Sequence, residues 1–222
     1  MSAAGPGAAA AVPAELLLIR HGETEWNSAA RIQGYRDISL SERGRRQAQV
    51  LARFLAGHRL DAVYASDLAR AIQTAEPLAQ QRALALRIDA RLKERSFGLF
   101  EGSTYAEAEA RWPHEYAIWS RRDPGHALPG GESFLDARRR VLAGLGDIAR
   151  EHAGQTVAVV THGGVLDIIY RTAQGIPWET PRSHLLPNAC INRVQVQHPG
   201  PALLVLSWAE SAHLDAAADE LP

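Results

Sequence analysis

The run Leu16-Leu17-Leu18-Ile19 ends abruptly at Arg20-His21-Gly22, and this junction constrains the fold more than any other stretch of the chain. Four consecutive aliphatic residues suit a strand covered on both faces, as in a parallel sheet. Ligands of open α/β sheets gather at the carboxyl ends of such strands, where Arg20 and His21 sit. The glycine that follows lets the backbone turn sharply and lets a ligand approach closely. A second stretch, 155–164, repeats the design: a β-branched apolar run ends in Thr161-His162-Gly163-Gly164, and a helical pattern follows. If the two strands are neighbours in one parallel sheet, His21 and His162 face one crevice.

A chain of 222 residues is long enough for one filled core, and typical domain sizes make a single domain over 15–222 the expectation. A hydrophobic content of 46% with a net charge of -1 gives no global pull toward nucleic acid or a membrane, so any attraction for anions is local. Lys93 is the only lysine, leaving arginine to supply nearly all positive charge. Cys190 is the only cysteine, which excludes an intramolecular disulfide and is compatible with a reducing compartment, the cytoplasm. Residues 1–14 are small and apolar without the positive start or bulky centre of a signal peptide, and read as a disordered tail. No apolar run approaches the roughly 20 residues that span a bilayer.

Taken in order, 23–38 reads as a long loop bearing Trp26, Asn27, Gln33, Gly34 and Tyr35, all able to hold a ligand. Ser39 to Glu42 offers a capping box for a helix that runs to Leu55 and ends at Gly57. Residues 61–65 read as a second strand, Ser66 or Asp67 as the cap of the next helix, and Pro77 as a kink or break within it. Arg70 falls in the first turn of that helix, where its charge opposes the macrodipole unless an anion binds there. Residues 84–88 form a third, weaker strand and 91–102 a loop. A short helix covers 105–112, an irregular lid-like excursion 119–131, and a long amphipathic helix runs from 132 to about 152. Residues 165–173 are helical, and 190–197 and 202–208 form a hairpin about the turn 198–201. Strands alternating with helices indicate an α/β fold.

Arg20-His21-Gly22-Glu23-Thr24 with Asn27, Ser66-Asp67-Leu68-Ala69-Arg70, Glu94, and Thr161-His162-Gly163 together resemble the histidine phosphatase superfamily, also called phosphoglycerate mutase-like, over residues 15–215. The resemblance implies a three-layer α/β sandwich with a mostly parallel central sheet flanked by helices, and no metal or organic cofactor. It implies that His21 becomes phosphohistidine, that Arg20, Arg70 and an imidazolium at His162 bind the oxygens of the transferred group, and that Glu94 is proton donor and then base. Asn27 resembles a further phosphate ligand, with Gln33, Gly34 and Gly163 beside the substrate. These residue types suit phosphoryl transfer, which needs an aligned nucleophile, positive charge around the equatorial oxygens and a proton for the leaving oxygen.

Within that chemistry, a phosphatase acting on a small phosphorylated metabolite is expected over a mutase. The glycolytic mutases of this family carry extra sequence after an Arg-Arg pair, whereas here Arg121-Arg122 runs within ten residues to Gly131-Glu132-Ser133. Arg121 and Arg122 themselves read as a solvated pair, with contact to a substrate carboxylate or second phosphate as the alternative, and Glu101 is the reserve candidate for Glu94. A metal-dependent hydrolase lacks any His-Glu-x-x-His or clustered Asp/His support. A non-catalytic phospholigand-binding module conflicts with the retained His21 and Glu94. A homodimer is left open.

Overall fold

The computed structural model describes residues 12–197 and 202–214. Residues 1–11 of the expected tail and the expected turn at 198–201 therefore lie outside the described residues. Ala14, placed in the tail by the sequence reading, instead opens strand β1 (Ala14–Arg20) and is fully buried.

Among the described residues six strands form one sheet: β1, β2 (Ala62–Ala65), β3 (Leu86–Ile88), β4 (Thr156–Thr161), β5 (Ile191–Gln197) and β6 (Ala202–Glu210). Their order is β3-β2-β4-β1-β5-β6, parallel from β3 through β1 and antiparallel across β1-β5 and β5-β6. Unbroken apolar runs in β1 and β4 are explained by burial on both faces. Leu16, Leu18, Val157 and Val159 point into one core, while Leu17, Ile19, Ala158 and Val160 point into the other. Helices α6 (Phe134–Glu151) and α7 (Gly163–Gln174) cover the first face, and α2 (Glu42–Phe54) and α3 (Ala69–Gln81) the second, which makes the three-layer sandwich.

Several local expectations are corrected. The loop after His21 contains a short helix α1 (Glu25–Ser28), closed by a capping box between Thr24 and Asn27. Helix α3 is not divided at Pro77, which lies within one continuous helix. The proline is half-buried on the outer side of the helix, where a freed carbonyl one turn back can reach water, while Ala71, Ala75, Leu78 and Ala79 anchor both halves. Neither Ser66 nor Asp67 is the N-cap of α3. Leu68 holds that position, and the amide of Ala69 donates instead to Asp37 Oδ1 at 2.7 Å, a cap supplied from a distant loop. Beyond α4 (Tyr105–Arg111) lies a helix that the sequence reading passed over, α5 (Pro113–Trp119), which starts on a proline. Phe100, Trp112, Tyr116 and Trp119 pack these two short helices into a third, aromatic cluster.

Candidate active site

The parallel pairing of β1 with β4 sets Arg20 opposite Thr161, so the next residue of each strand is a histidine at the same level. The His21 amide donates to the Thr161 carbonyl at 2.9 Å, and the two imidazole centroids are 5.1 Å apart. Both rings are buried. A cleft of about 520 Å³ opens above them, and Arg20, His21, Asn27, Gln33, Gly34 and Arg70 line it. Glu94 and Gly163 line it as well, so every expected site residue except His162 borders the cavity, and His162 lies beneath it against His21.

Hydrogen bonding assigns each ring its tautomer. Nδ1 of His21 lies 2.7 Å from the Gly22 carbonyl, which can only accept, so the proton is on Nδ1 and the lone pair is on Nε2. Burial, and then the guanidiniums of Arg70 and Arg20, hold its pKa well below the ordinary imidazole value. The result is a bare nucleophilic nitrogen at neutral pH. At His162, Arg70 Nε donates to Nδ1 at 3.2 Å, so this ring carries its proton on Nε2 and gives it to Ser66 Oγ at 2.6 Å. Burial, followed by Arg70 and His21, drives its pKa well below the ordinary value too. Both nitrogens of His162 are committed to protein partners, and the site disfavours the imidazolium expected there. The cause is the surrounding positive charge in a dry site.

Positive charge is supplied by two arginines whose burial leaves them wanting an anion. Arg70 is fully buried, and one donor of each Nη goes to the carbonyls of Arg36 and Gly34, each at 2.8 Å, which leaves one N–H on each Nη for an anion. Burial pushes its pKa down to about 10, with Glu94, Asp37 and Glu101 opposing at a distance. Arg20 donates through Nη1 to the Leu186 carbonyl, while its buried Nε has no hydrogen-bond partner among the described residues. Burial lowers its pKa as well. A buried guanidinium without a carboxylate is costly, and a phosphoryl group between the two would offset that cost. The sign of Arg70 at the start of α3 is explained in the same way.

The proposed proton donor is fixed by another helix start. Glu94 Oε2 accepts from the Gly164 amide of α7 at 3.0 Å, and Oε1 accepts from the Arg95 amide at 2.8 Å. Glu101, the reserve candidate, is committed elsewhere: its Oε1 accepts from the amides of Tyr35 and Phe97 and from Ser96 Oγ. It does not line the cleft. Gly34 has φ of 51°, and a Cβ there would lie 2.1 Å from Glu101 Oε1, so this glycine shapes the loop that receives Arg70. The buried Oε1 of Gln33 has no hydrogen-bond partner among the described residues. Asn27 Oδ1 accepts from Thr24 and from Asn188 Nδ2, which leaves the amide nitrogen as its donor toward the cleft.

Some residues of the site escaped the sequence reading. Asn188 Nδ2 also donates to the His21 carbonyl at 3.0 Å, tying the β5 approach to the nucleophile. Thr74 Oγ1 accepts from the Gly22 amide at 2.9 Å and steadies the turn. Arg95, Tyr105, Trp119, Trp178 and Arg182 line the outer cleft. A lone tryptophan or arginine in a loop carries no spacing signal, so only the fold could gather them. Arg122 lines the cleft whereas the exposed Arg121 does not, which divides the pair that the sequence left together. Among the described residues no group of three or more His, Cys, Asp and Glu side chains is placed to hold a metal ion, and no helix is long and apolar enough to cross a membrane.

Comparison with known proteins agrees with this geometry. The metal-independent phosphoserine phosphatase of Arabidopsis thaliana is 37% identical over 203 residues, covering 90% of this chain and 83% of that protein. Phosphoglycerate mutase-like protein 4 of the same plant is 34% identical over 205 residues, covering 91% and 87%. Among solved structures, a mycobacterial glucosyl-3-phosphoglycerate phosphatase superposes with a TM-score of 0.79 at 29% identity, covering 89% of this chain and 99% of its own. The family model for branch 1 of the histidine phosphatase superfamily matches residues 16–209. The chain belongs to that superfamily.

Proposed function

We propose that this enzyme hydrolyses phosphate monoesters of small metabolites in two steps, with His21 as nucleophile and Glu94 as acid and then base. The observation that carries the reading is the unprotonated Nε2 of His21 buried between two arginines that have no carboxylate partner among the described residues. In the first step the Nε2 lone pair attacks phosphorus in line, the P–O ester bond breaks, and the leaving alkoxide takes a proton from Glu94. In the second, the Glu94 carboxylate takes a proton from water, the hydroxide attacks phosphorus, and the P–N bond returns its electrons to His21. Arg20 and Arg70 hold the equatorial oxygens throughout. His162 is a positioning residue, bracing Arg70 through its Nδ1. Names among the relatives, phosphoserine phosphatase and glucosyl-3-phosphoglycerate phosphatase, support hydrolysis of phosphorylated metabolites.

Hydrolysis is favoured over mutase activity because, between α5 and α6, Arg121-Arg122 runs within ten residues to Gly131 without the extra sequence of the glycolytic mutases. A mutase must keep water from its phosphohistidine. Leaving-group dependence tests the central claim. An alkyl ester expels a basic alkoxide that needs the proton of Glu94, whereas a nitrophenyl ester expels a stabilised phenolate that barely does. Glu94→Gln should block phosphorylation of His21 by the alkyl ester. With the aryl ester it should give a burst of phenolate and a trapped phosphohistidine, seen by quenched flow and intact-protein mass. Equal slowing on both esters, with no burst and no adduct, would remove Glu94 from the role.

A further inference from the structure

The strap that carries Glu94 has almost no regular structure of its own: residues 90–92 make one turn of 3₁₀ helix, and from Lys93 to Phe97 the chain is neither helix nor strand. Its buried carbonyls therefore need donors from elsewhere. Thr161 Oγ1, at the end of β4, donates to the Leu92 carbonyl at 2.7 Å, and the Glu132 amide donates to that of Ser96 at 3.0 Å. Three more carbonyls are held by a single side chain. Arg140, in the second turn of α6, donates through Nη1 to the carbonyls of Arg91 at 2.8 Å and Lys93 at 2.7 Å, and through Nη2 to that of Glu94 at 2.9 Å.

The two remaining N–H groups of Arg140, one on Nε and one on Nη2, meet Oε1 and Oε2 of Glu132, each at 2.7 Å. All five donors of the guanidinium are thus occupied. Arg20 and Arg70 keep N–H groups for an anion, whereas Arg140 has none to offer, and neither it nor Glu132 borders the cleft. The pair can reach a substrate only through the strap. Helix α6 is shaped for this approach, because Gly144 lies one turn beyond Arg140 on the same face and a Cβ there would sit 3.2 Å from the Arg91 Cβ. A planar five-donor fork is also what the place demands. Lysine has three donors on one nitrogen and cannot span three carbonyls and a carboxylate. Glu132 supplies the counter-charge that the carbonyls alone would not, with both side chains mostly buried.

We propose that Arg140 and Glu132 are positioning residues for the proton transfers: by fixing the backbone at 91, 93 and 94 they hold the Glu94 carboxylate against the Gly164 amide, in reach of the leaving oxygen and then of water. The inference rests on the reading of Glu94 as acid and base. Proton transfer requires hydrogen-bond distance, so a strap released from α6 loses the acid while the nucleophile, built on β1, stays in place.

A split between leaving groups tests it. Rapid-quench phosphorylation of His21 by an alkyl phosphate and by nitrophenyl phosphate is compared in wild type, Arg140→Lys, Glu132→Gln and Glu94→Gln. Arg140→Lys keeps the charge opposite Glu132 but releases carbonyls of the strap. It should slow phosphorylation by the alkyl ester about tenfold or more, within the roughly 100-fold or greater contribution of a placed acid. The nitrophenolate burst should stay close to the wild-type rate, and phosphohistidine should accumulate because water also loses its base. Glu132→Gln, which retains one acceptor for Arg140, should show the same split to a smaller degree, and it decides the matter if Arg140→Lys does not fold. Equal slowing on both esters would make the pair a general support of the fold and overturn the proposal, and so would unchanged rates on both. Those outcomes count against the pair alone when Glu94→Gln still shows the split. Absence of the split in Glu94→Gln itself would instead bring down the reading of Glu94 on which the inference rests.

Discussion

At the scale of single residues, His162 shows where a sequence stops being informative. Its position could be read from the repeated strand-His-Gly design, but its charge could not, because tautomer and pKa depend on Arg70 and Ser66, which reach it from another segment. Under the proposed mechanism, a ring with both nitrogens committed acts on the substrate through Arg70. Loss of Arg70 as Arg70→Met should weaken vanadate binding by about 1.5 to 3 kcal/mol, the worth of a charge-assisted hydrogen bond. His162→Asn should weaken it as well, and the double variant should lose little more than Arg70→Met alone, since the two act as one unit. Inhibition constants of the four proteins give the cycle. Additive losses would mean that His162 touches the oxyanion independently.

Among the elements, long buried strands were the most legible, since Leu16 to Ile19 and Val157 to Val160 each feed both cores and so read as continuous apolar runs. Starts of helices were less so. Asp37 caps α3 across a loop, while Ser66 Oγ serves the Leu68 amide and His162, and no local pattern reports a cap supplied from outside. The start of α7 is also a functional device, because a Cβ at Gly164 would lie 2.3 Å from Glu94 Oε1, the far end of a flexible side chain. Gly164→Ala should therefore displace the carboxylate rather than disturb the fold. Turnover of alkyl esters should fall at least tenfold while the urea midpoint holds or rises, as alanine favours a helix by roughly 0.8 to 1 kcal/mol over glycine. Gly44 in α2 gives the opposite result. A Cβ there would sit 2.0 Å from the Glu23 carbonyl oxygen, which is backbone and cannot swing away. Gly44→Ala should cost about 1 to 3 kcal/mol of stability, the usual range for overpacking, and a Gly44→Ala protein as stable as wild type would show that this close approach is relaxed in solution.

For the molecule as a whole, the parallel core of the sheet and the pairing of the two histidines followed from pattern, while α5 and the outer cleft did not, because their residues become neighbours only after folding. The same burial that prepares the site also sets how the entire fold responds to acid. His21 and His162 are neutral in the folded state with pKa values well below 6.5, and burial lowers that of His184 in the same direction. In the unfolded chain all three titrate near 6.5. Below that pH the unfolded state binds protons that the folded state refuses, so stability is complete above about pH 6.5 and declines as the pH falls toward the depressed folded values. Each strongly shifted histidine contributes up to about 1.4 kcal/mol per pH unit across the window. Unfolding free energy measured by urea between pH 7 and pH 5, above the range where most carboxylates titrate, should fall steeply, and His162→Asn should remove one histidine's share of the slope. A flat profile over that window would mean that the two rings accept protons in place, and His21 would then lose its nucleophile at the acid end instead of keeping a free Nε2.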